Sequence, residues 1–179
     1  FVVLDPVVIT SQGGNMAEQD IREELLTKLL PQLDLITPNL NELVWLLKLP
    51  TDHFSSADYP LSLLEAASAK LRELGVSAVL CKGGHQLNDA NDLLWREGNY
   101  KWFQGKRINN PNTHGTGCTL SSAIASNLAK GFDLDTSVER AKKYISGALA
   151  AMLDLGKGSG PMDHGFAIKN EYTESKVEE

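Results

Sequence analysis

The sequence predicts an α/β domain with a mostly parallel central sheet, helices on both faces and a late antiparallel hairpin. Short apolar segments of strand length alternate with longer segments whose apolar residues recur at helical spacing. Segments 1–9, 33–37 and 76–81 are predominantly apolar, as strands buried on both faces are. Segment 93–108 instead alternates apolar and polar residues around Gly98-Asn99, which indicates a hairpin.

The helices are predicted from apolar stripes and from the residues that begin and end them. Pro31 is expected to end the first helix, and Gly75 to end the third. Asn39 is expected to cap the second helix. The predicted helices cover 17–30, a short segment after Asn39, 61–74, 118–128 and 134–155, followed by a glycine-rich loop over 156–165.

The composition is that of an ordinary globular chain and excludes several classes of partner. Of 179 residues, 42% are hydrophobic and 22% are charged, and the net charge is −6. This acidic balance predicts neither a nucleic-acid partner nor an anionic membrane surface, and no apolar run approaches the roughly 20 residues of a spanning helix. The two cysteines, Cys81 and Cys118, fit a reducing compartment, so we expect a cytoplasmic protein.

Polar residues lie where the predicted strands end, which is where parallel sheets bind ligands. Asp5 comes late in the first strand, Asn39 and Glu42 follow the second, and Lys82 follows the third. Carboxylates there need a partner or a cation, and oxygen ligands with a lysine suit Mg²⁺ and phosphate. Each residue also has a structural alternative. Asp5 could cap a turn, Asn39 and Glu42 could form a capping box, and Lys82 could be a solvated loop residue.

The segment Thr113 to Gly117 is a glycine turn before a helix expected to begin near Cys118. The first amides of a helix lack internal partners and carry partial positive charge, and glycines let an anion approach the backbone. The same field favours the thiolate of Cys118, which could then act as a general base. The alternative is a small, buried helix residue. The turn is neither a Walker A loop nor a dinucleotide fingerprint, because Leu120 stands where the third glycine would be.

Carboxylates, a lysine and an anion cradle at one sheet edge are the parts of a phosphoryl-transfer site. The stretches DPVV, LITPNLNE, CKGGH and THGTGCTLSSAIA resemble, in order and spacing, the motifs of hydroxymethylpyrimidine/phosphomethylpyrimidine kinases. These are thiamin-biosynthesis enzymes of the ribokinase superfamily. GPMDHGF is similar to the C-terminal segment of that family, so the resemblance covers residues 1 to about 168.

The resemblance implies a ribokinase-like kinase that uses ATP and Mg²⁺. Its substrates would be 4-amino-5-hydroxymethyl-2-methylpyrimidine and the monophosphate of that alcohol, and we expect a homodimer. Cys118 would be the base that faces the substrate hydroxyl. The segment after the hairpin and the last helices would contribute to the nucleotide site. The other implied roles are an anion hole of Gly115, Thr116 and Gly117, a metal site of Asp5 and Glu42, and nucleotide contacts from Asn39, Lys82, Gly83 and Thr113.

The extent of the resemblance limits what this chain is expected to do alone. Residues 1–168 resemble the C-terminal portion of the kinase domain, without roughly 100 N-terminal residues. Residues 169–179 are expected to form a flexible acidic tail. We therefore expect this portion to be inactive by itself. Two other functions stay open: a pyridoxal or pyridoxine kinase of the same superfamily, and a non-catalytic ribokinase-like module.

Overall fold

The computed structural model describes residues 1–8, 19–49, 61–83 and 90–168, and the predicted 169–179 tail lies outside them. The strands are β1 (Val3–Leu4), β2 (Leu35–Ile36), β3 (Ala78–Lys82), β4 (Asp92–Arg96) and β5 (Asn99–Phe103). The helices are α1 (Gln19–Glu24), α2 (Leu40–Leu47), α3 (Leu61–Glu73), α4 (Thr116–Ala129) and α5 (Leu134–Ala150). None of these helices is long and apolar enough to cross a membrane.

The five described strands form one sheet in the order β1-β2-β3-β4-β5. β1 and β2 pair in parallel, as do β2 and β3, whereas β3, β4 and β5 pair antiparallel in sequence. The predicted α/β fold with a late hairpin is confirmed, and the described sheet is mixed. Because β1, β2 and β3 run in parallel, their carboxyl ends meet at one edge of the sheet.

Helices cover both faces of this sheet, as predicted. Successive strand residues point to opposite faces, so Ala78 and Leu80 of β3 pack towards α4 and α5, and Val79 and Cys81 pack towards α2 and α3. These side chains are buried. The central strand is thus apolar on both sides, which is why its sequence shows no alternation.

Two predicted boundaries change near prolines. The first strand shortens from 1–9 to Val3–Leu4, since Pro6 has no N–H for a ladder and the N–H of Val7 turns back to the carbonyl of Asp5 (2.9 Å). The first helix continues beyond Pro31, through a π-helical turn (Leu25–Leu29) and a 3-10 turn (Leu30–Gln32). Proline is tolerated there because the first N–H groups of a helical turn need no internal partner.

The last two helices also differ from their predicted bounds. α4 begins at Thr116 rather than Cys118, because Gly115, at φ +82°, takes the left-handed conformation that precedes the first turn. α5 ends at Ala150 rather than Leu155. Met152, at φ +53°, leaves the helical region there. Cys118 is therefore the third residue of α4.

The packing of β3 gives a stability prediction. Leu80 is completely buried between the sheet and the last two helices, so Leu80→Ala should lower the free energy of unfolding by about 2–5 kcal/mol. Leu155→Ala, a matched substitution at an exposed leucine, should change it by less than about 0.5 kcal/mol. Urea unfolding followed by circular dichroism measures both values, and equal losses would contradict the assigned core.

Candidate active site

Lys82, the last residue of β3, lies between two carboxylates. Its Nζ is 2.6 Å from Oδ1 of Asp5 and 3.6 Å from Oε2 of Glu42. The side chain of Lys82 is 14% exposed, and those of Asp5 and Glu42 are less exposed. Three charged groups thus share a site largely removed from water, where each needs the others. The alternative of a solvated Lys82 is wrong.

The parallel strands position this cluster through their backbones. The N–H of Thr37 donates to the carbonyl of Leu4 (2.9 Å), and the N–H of Lys82 donates to the carbonyl of Pro38 (2.9 Å). The hydroxyl of Thr37, which is fully buried, donates to Oδ1 of Asp5 (3.2 Å). Thr37 was missed from the sequence, although its position before Pro38 at a strand end was a usable signal.

Glu42 takes part in two interactions, a helix-capping box with Asn39 and an ion pair with Lys82. The N–H of Glu42 donates to Oδ1 of Asn39 (2.9 Å), and the N–H of Asn39 donates to Oε2 of Glu42 (2.6 Å). The capping box is therefore confirmed. The same Oε2 faces Lys82. Burial raises the pKa of Glu42 above its ordinary value, although the charge of Lys82 and the N–H of Asn39 partly oppose that effect.

The glycine turn lies directly on the ion pair. A Cβ atom at Gly117 would be 3.2 Å from Oδ2 of Asp5 and 3.2 Å from Nζ of Lys82, so a side chain at this position would press on both groups. Gly117 and Cys118 are the second and third residues of α4, where helix geometry leaves backbone N–H groups without intrahelical partners. The fold thus brings these N–H groups beside the Asp5–Lys82 pair.

A cleft of about 420 Å³ opens on one side of the turn, and its described lining holds four cationic side chains and the carboxylate of Asp92. Lys142 of α5 donates to Oδ2 of Asp92 (2.5 Å) and to the carbonyl of Ala90 (2.7 Å). Lys142 and Asp92 were missed from the sequence, because a lysine on an amphipathic helix carries no local signal. Lining residues include Asn39, Lys82, Lys106, Asn110, Thr113, Thr116 and Gly117.

Gly83 and Thr113 lie at the border of this cleft. The N–H of Gly83 donates to Oδ1 of Asp92 (3.0 Å). A Cβ atom at Gly83 would be 1.9 Å from the carbonyl oxygen of Asn91, so only glycine fits this approach. The carbonyl of Thr113 accepts from the N–H of Thr116 (3.3 Å) and from its hydroxyl (3.0 Å). Thr113 thereby closes the turn before α4.

Cys118 faces the other side of the turn. Its side chain is exposed and lines a groove of about 760 Å³ together with Gly115 and Thr119, so the alternative of a buried residue is wrong. Cys81 provides the contrast. It is buried, its Sγ is 3.3 Å from the hydroxyl of Ser68, and burial raises its pKa to about 11. The start of α4 therefore separates a cationic cleft from a groove that contains the accessible thiol.

The carboxylates fit a cation that brings most of its own ligands. The described residues contain no group of three or more His, Cys, Asp or Glu side chains that could hold a metal ion. Asp5 and Glu42 offer oxygen ligands only, and Mg²⁺ typically binds one or two carboxylates together with water and phosphate oxygens. A cation beside Glu42 would also favour its charged form, which burial disfavours. The donor set therefore suits Mg²⁺ delivered with a phosphate ligand.

Comparisons with known proteins agree with this geometry. The profile of the phosphomethylpyrimidine kinase family matches residues 1–163. A hydroxymethylpyrimidine/phosphomethylpyrimidine kinase of Streptomyces coelicolor is 39% identical over 166 residues, which are 93% of this chain and 59% of that protein. The chain thus spans about three fifths of the length of the curated relatives that it matches.

Two solved structures are similar to the chain. A Bacillus subtilis pyridoxal kinase, solved as an ADP complex, has a TM-score of 0.77 and 28% identity over 92% of this chain and 58% of that one. A phosphomethylpyrimidine kinase from Clostridium difficile 630 has a TM-score of 0.66 and 29% identity, over 82% of this chain and 56% of that one. The fold is therefore ribokinase-like, as predicted.

The buried carboxylate gives a prediction about pH. The folded-state pKa of Glu42 lies above its ordinary value of 4.5, so the folded protein holds that proton more tightly than the unfolded chain does. The wild type therefore loses free energy of unfolding as the pH rises from about 4.5 through the folded-state pKa, and the loss persists at neutral pH. Glu42→Gln keeps a capping acceptor and should be at least as stable as the wild type at pH 7.

Urea unfolding without Mg²⁺, repeated from pH 4 to pH 8, measures this difference. The stability advantage of Glu42→Gln should shrink towards zero below about pH 4.5. The control Glu73→Gln, at an exposed position of α3, should show no comparable trend. A Glu42→Gln variant that is clearly less stable than the wild type at pH 7 would show that the Lys82 contact outweighs desolvation.

Proposed function

The chain belongs to the phosphomethylpyrimidine kinase family, and on that premise we propose that it carries the phosphoryl-transfer site of an ATP-dependent kinase. The substrates are 4-amino-5-hydroxymethyl-2-methylpyrimidine and its monophosphate, in thiamin biosynthesis. The observation that carries the proposal is the contact of Gly117 with the Asp5–Lys82 pair. At this point of the sheet edge, a helix start suited to anion binding, a lysine and a carboxylate lie together.

The nucleotide occupies the cleft of about 420 Å³, with its phosphates towards the glycine turn. Lys106 and Arg107 line this cleft beside the paired Lys82 and Lys142, and Asp92 is the single acidic residue among the described residues of the lining, so cationic side chains outnumber acidic ones there, which suits a polyphosphate. The N–H groups at the start of α4 bind the transferring phosphoryl group, and Gly115, Thr116 and Gly117 let it approach the backbone closely. The base and ribose then lie along the segment after the hairpin and α5.

Asp5 and Glu42 would hold Mg²⁺, and Asn39 and Lys82 lie beside these carboxylates. When bound, the ion neutralises phosphate charge during transfer. Lys82 also holds Asp5 in place through a 2.6 Å contact, and its charge partly opposes the effect of burial on the pKa of Glu42. The burial of Glu42 thereby makes the site selective for a ligand that brings positive charge with it.

Cys118 takes the proton from the acceptor hydroxyl. It stands one residue beyond Gly117, on the groove side of the turn, so the acceptor and the nucleotide approach the start of α4 from opposite sides. In-line transfer then requires the acceptor hydroxyl and the terminal phosphate to meet at the start of α4, where Gly117 and Cys118 adjoin, with ADP as the leaving group. The exposed thiol of Cys118, the third residue of α4, is accessible to an acceptor in the groove.

Likeness to a pyridoxal kinase structure supports a second candidate, a pyridoxal or pyridoxine kinase. Such an enzyme would bind ATP in the same cleft and would differ in the alcohol that it phosphorylates. A non-catalytic module is the third candidate, and the cluster of Asp5, Glu42 and Lys82 argues against it, because apolar residues of similar volume would often be as stable as a buried ion pair.

The proposed location is the cytoplasm, and the proposed assembly is a homodimer. The two cysteines are free, one buried and one exposed, which fits the cytoplasm, where ATP is also available. The homodimer rests on the family resemblance alone. Sedimentation equilibrium of the intact protein that carries these residues would test it, and a monomer at micromolar concentration would contradict it.

The substrate prediction is tested with the intact protein that carries this chain. Mg²⁺-ATP should bind in a calorimeter, and the protein should phosphorylate the pyrimidine alcohol and then its monophosphate. The same assay with pyridoxal is the comparison. Turnover of pyridoxal alone would favour the second candidate, and absence of Mg²⁺-ATP binding would favour the module.

The role of Cys118 is tested by substitution in the same protein. Cys118→Ala should lower kcat by about 10²-fold or more, the usual scale for a general base, with little change in the KM for ATP. Cys118→Asp should keep part of the activity, since a carboxylate can also accept a proton. Ala129→Ser, at an exposed position of the same helix outside the residues that line the groove, is the control and should leave kcat unchanged. A near-normal kcat in Cys118→Ala would remove the base role.

A further inference from the structure

The loop between β5 and α4, residues 104–115, forms one wall of the cleft and leads into the glycine turn. Its backbone over residues 107–113 belongs to no helix or strand, so side chains must fix it. Asn110 contributes one contact. Its Nδ2 donates to the carbonyl of Leu149 near the end of α5 (2.7 Å), and its Oδ1 accepts the N–H of Asn112 (2.7 Å).

Asn112 uses both ends of its side-chain amide. Nδ2 donates to the carbonyl of Leu153 (2.7 Å), and Oδ1 accepts from the N–H of Gly160 (2.7 Å). Both partners belong to the loop that follows α5, residues 151–163. Asn112 is only 4% exposed, so neither end of its amide has ready access to water as a substitute partner. The side chain therefore ties two loops that have no shared ladder at this point.

Gly160 is fitted to this contact. A Cβ atom there would lie 2.8 Å from Oδ1 of Asn112 and 2.8 Å from the carbonyl oxygen of Leu155, a distance that real Cβ contacts do not adopt without movement. Contacts continue towards the turn, because the hydroxyl of Ser159 donates to the carbonyl of Pro111 (3.1 Å). His114 then pairs with Pro161 as an isolated parallel bridge. The contacts between the two loops thus extend to His114, the residue before Gly115.

We propose that Asn112 is a positioning residue that sets the place of the glycine turn over the Asp5–Lys82 pair. This inference rests on the proposed phosphoryl transfer. Asn112 holds the loop from which the turn starts, so its loss would shift the N–H groups at the start of α4. Asp5 and Lys82 are held separately by the parallel strands. The distance between the N–H groups at the start of α4 and a phosphoryl group bound beside Asp5 and Lys82 would therefore change. Reaction rates fall steeply with such misplacement.

The test uses two variants that disturb the same contact from opposite sides. Asn112→Asp keeps the size and the acceptor but loses the donor, and it sets a carboxylate against the carbonyl of Leu153. Gly160→Ala leaves Asn112 unchanged and pushes on its Oδ1. Gly158→Ala is the matched control, since a Cβ atom there meets nothing within 4 Å. All three are made in the intact protein that carries this chain.

Both test variants should lower kcat per folded molecule by about ten-fold or more, with the KM for ATP unchanged within about two-fold. Amide hydrogen exchange of residues 113–117 should be faster in both, while Gly158→Ala should match the wild type in every measurement. Should Asn112→Asp fail to fold, Gly160→Ala decides the matter. Loss of activity that disappears on cooling, together with a lower Tm, would identify a purely structural role and overturn the inference.

The exchange measurement separates this inference from the proposed function. Unchanged exchange at residues 113–117 in folded variants overturns the role of Asn112, whatever the activity. A wild-type protein without kinase activity overturns the proposed function instead. In that case faster exchange in both variants still supports Asn112 as the residue that fixes the turn.

Discussion

Lys82 holds together the edge of the sheet on which the candidate site is built. Its side chain contacts Asp5 after β1 and faces Glu42 on α2, while Gly117 of α4 lies against its ammonium group. Four elements thus meet at one charged atom. Removing that charge would leave two buried carboxylates uncompensated, which is far more costly than losing a surface ion pair. The glycine at position 117 fits the same constraint, because a Cβ atom there would be 3.2 Å from both Asp5 and Lys82 and would require the ion pair to move slightly.

This cluster does not exist for stability alone. Burial raises the pKa of Glu42 even with Lys82 nearby. The surroundings of this carboxyl group therefore favour its protonated form. Apolar residues of similar volume would often be as stable as a buried ion pair, or more so. The capping box explains why an acceptor stands at position 42, but a glutamine would satisfy the cap as well. The charge is better explained by a cationic ligand than by the helix.

The sequence allowed much of the candidate site to be predicted, because its members end predicted strands or begin predicted helices. Asp5, Glu42 and Lys82 were found from position alone, and the structure brings them within contact of one another. Lys142 was not found, because its partner Asp92 is 50 residues away and no local pattern joins them. Asn112 was missed for the same reason, since its contact with Gly160 spans 48 residues.

The order of strands and helices, the late hairpin and a glycine turn before α4 could be predicted from the sequence alone. These features depend on apolar periodicity, on glycine and proline, and on capping residues, all of which act within a few residues of the chain. The sequence could not show that this turn lies beside the Asp5–Lys82 pair, or that it stands between the cleft and the groove of Cys118. The physical reason is that a strand or helix pattern fixes the direction of a side chain but not its partner. Polar partners are chosen by packing between elements that are distant in the chain.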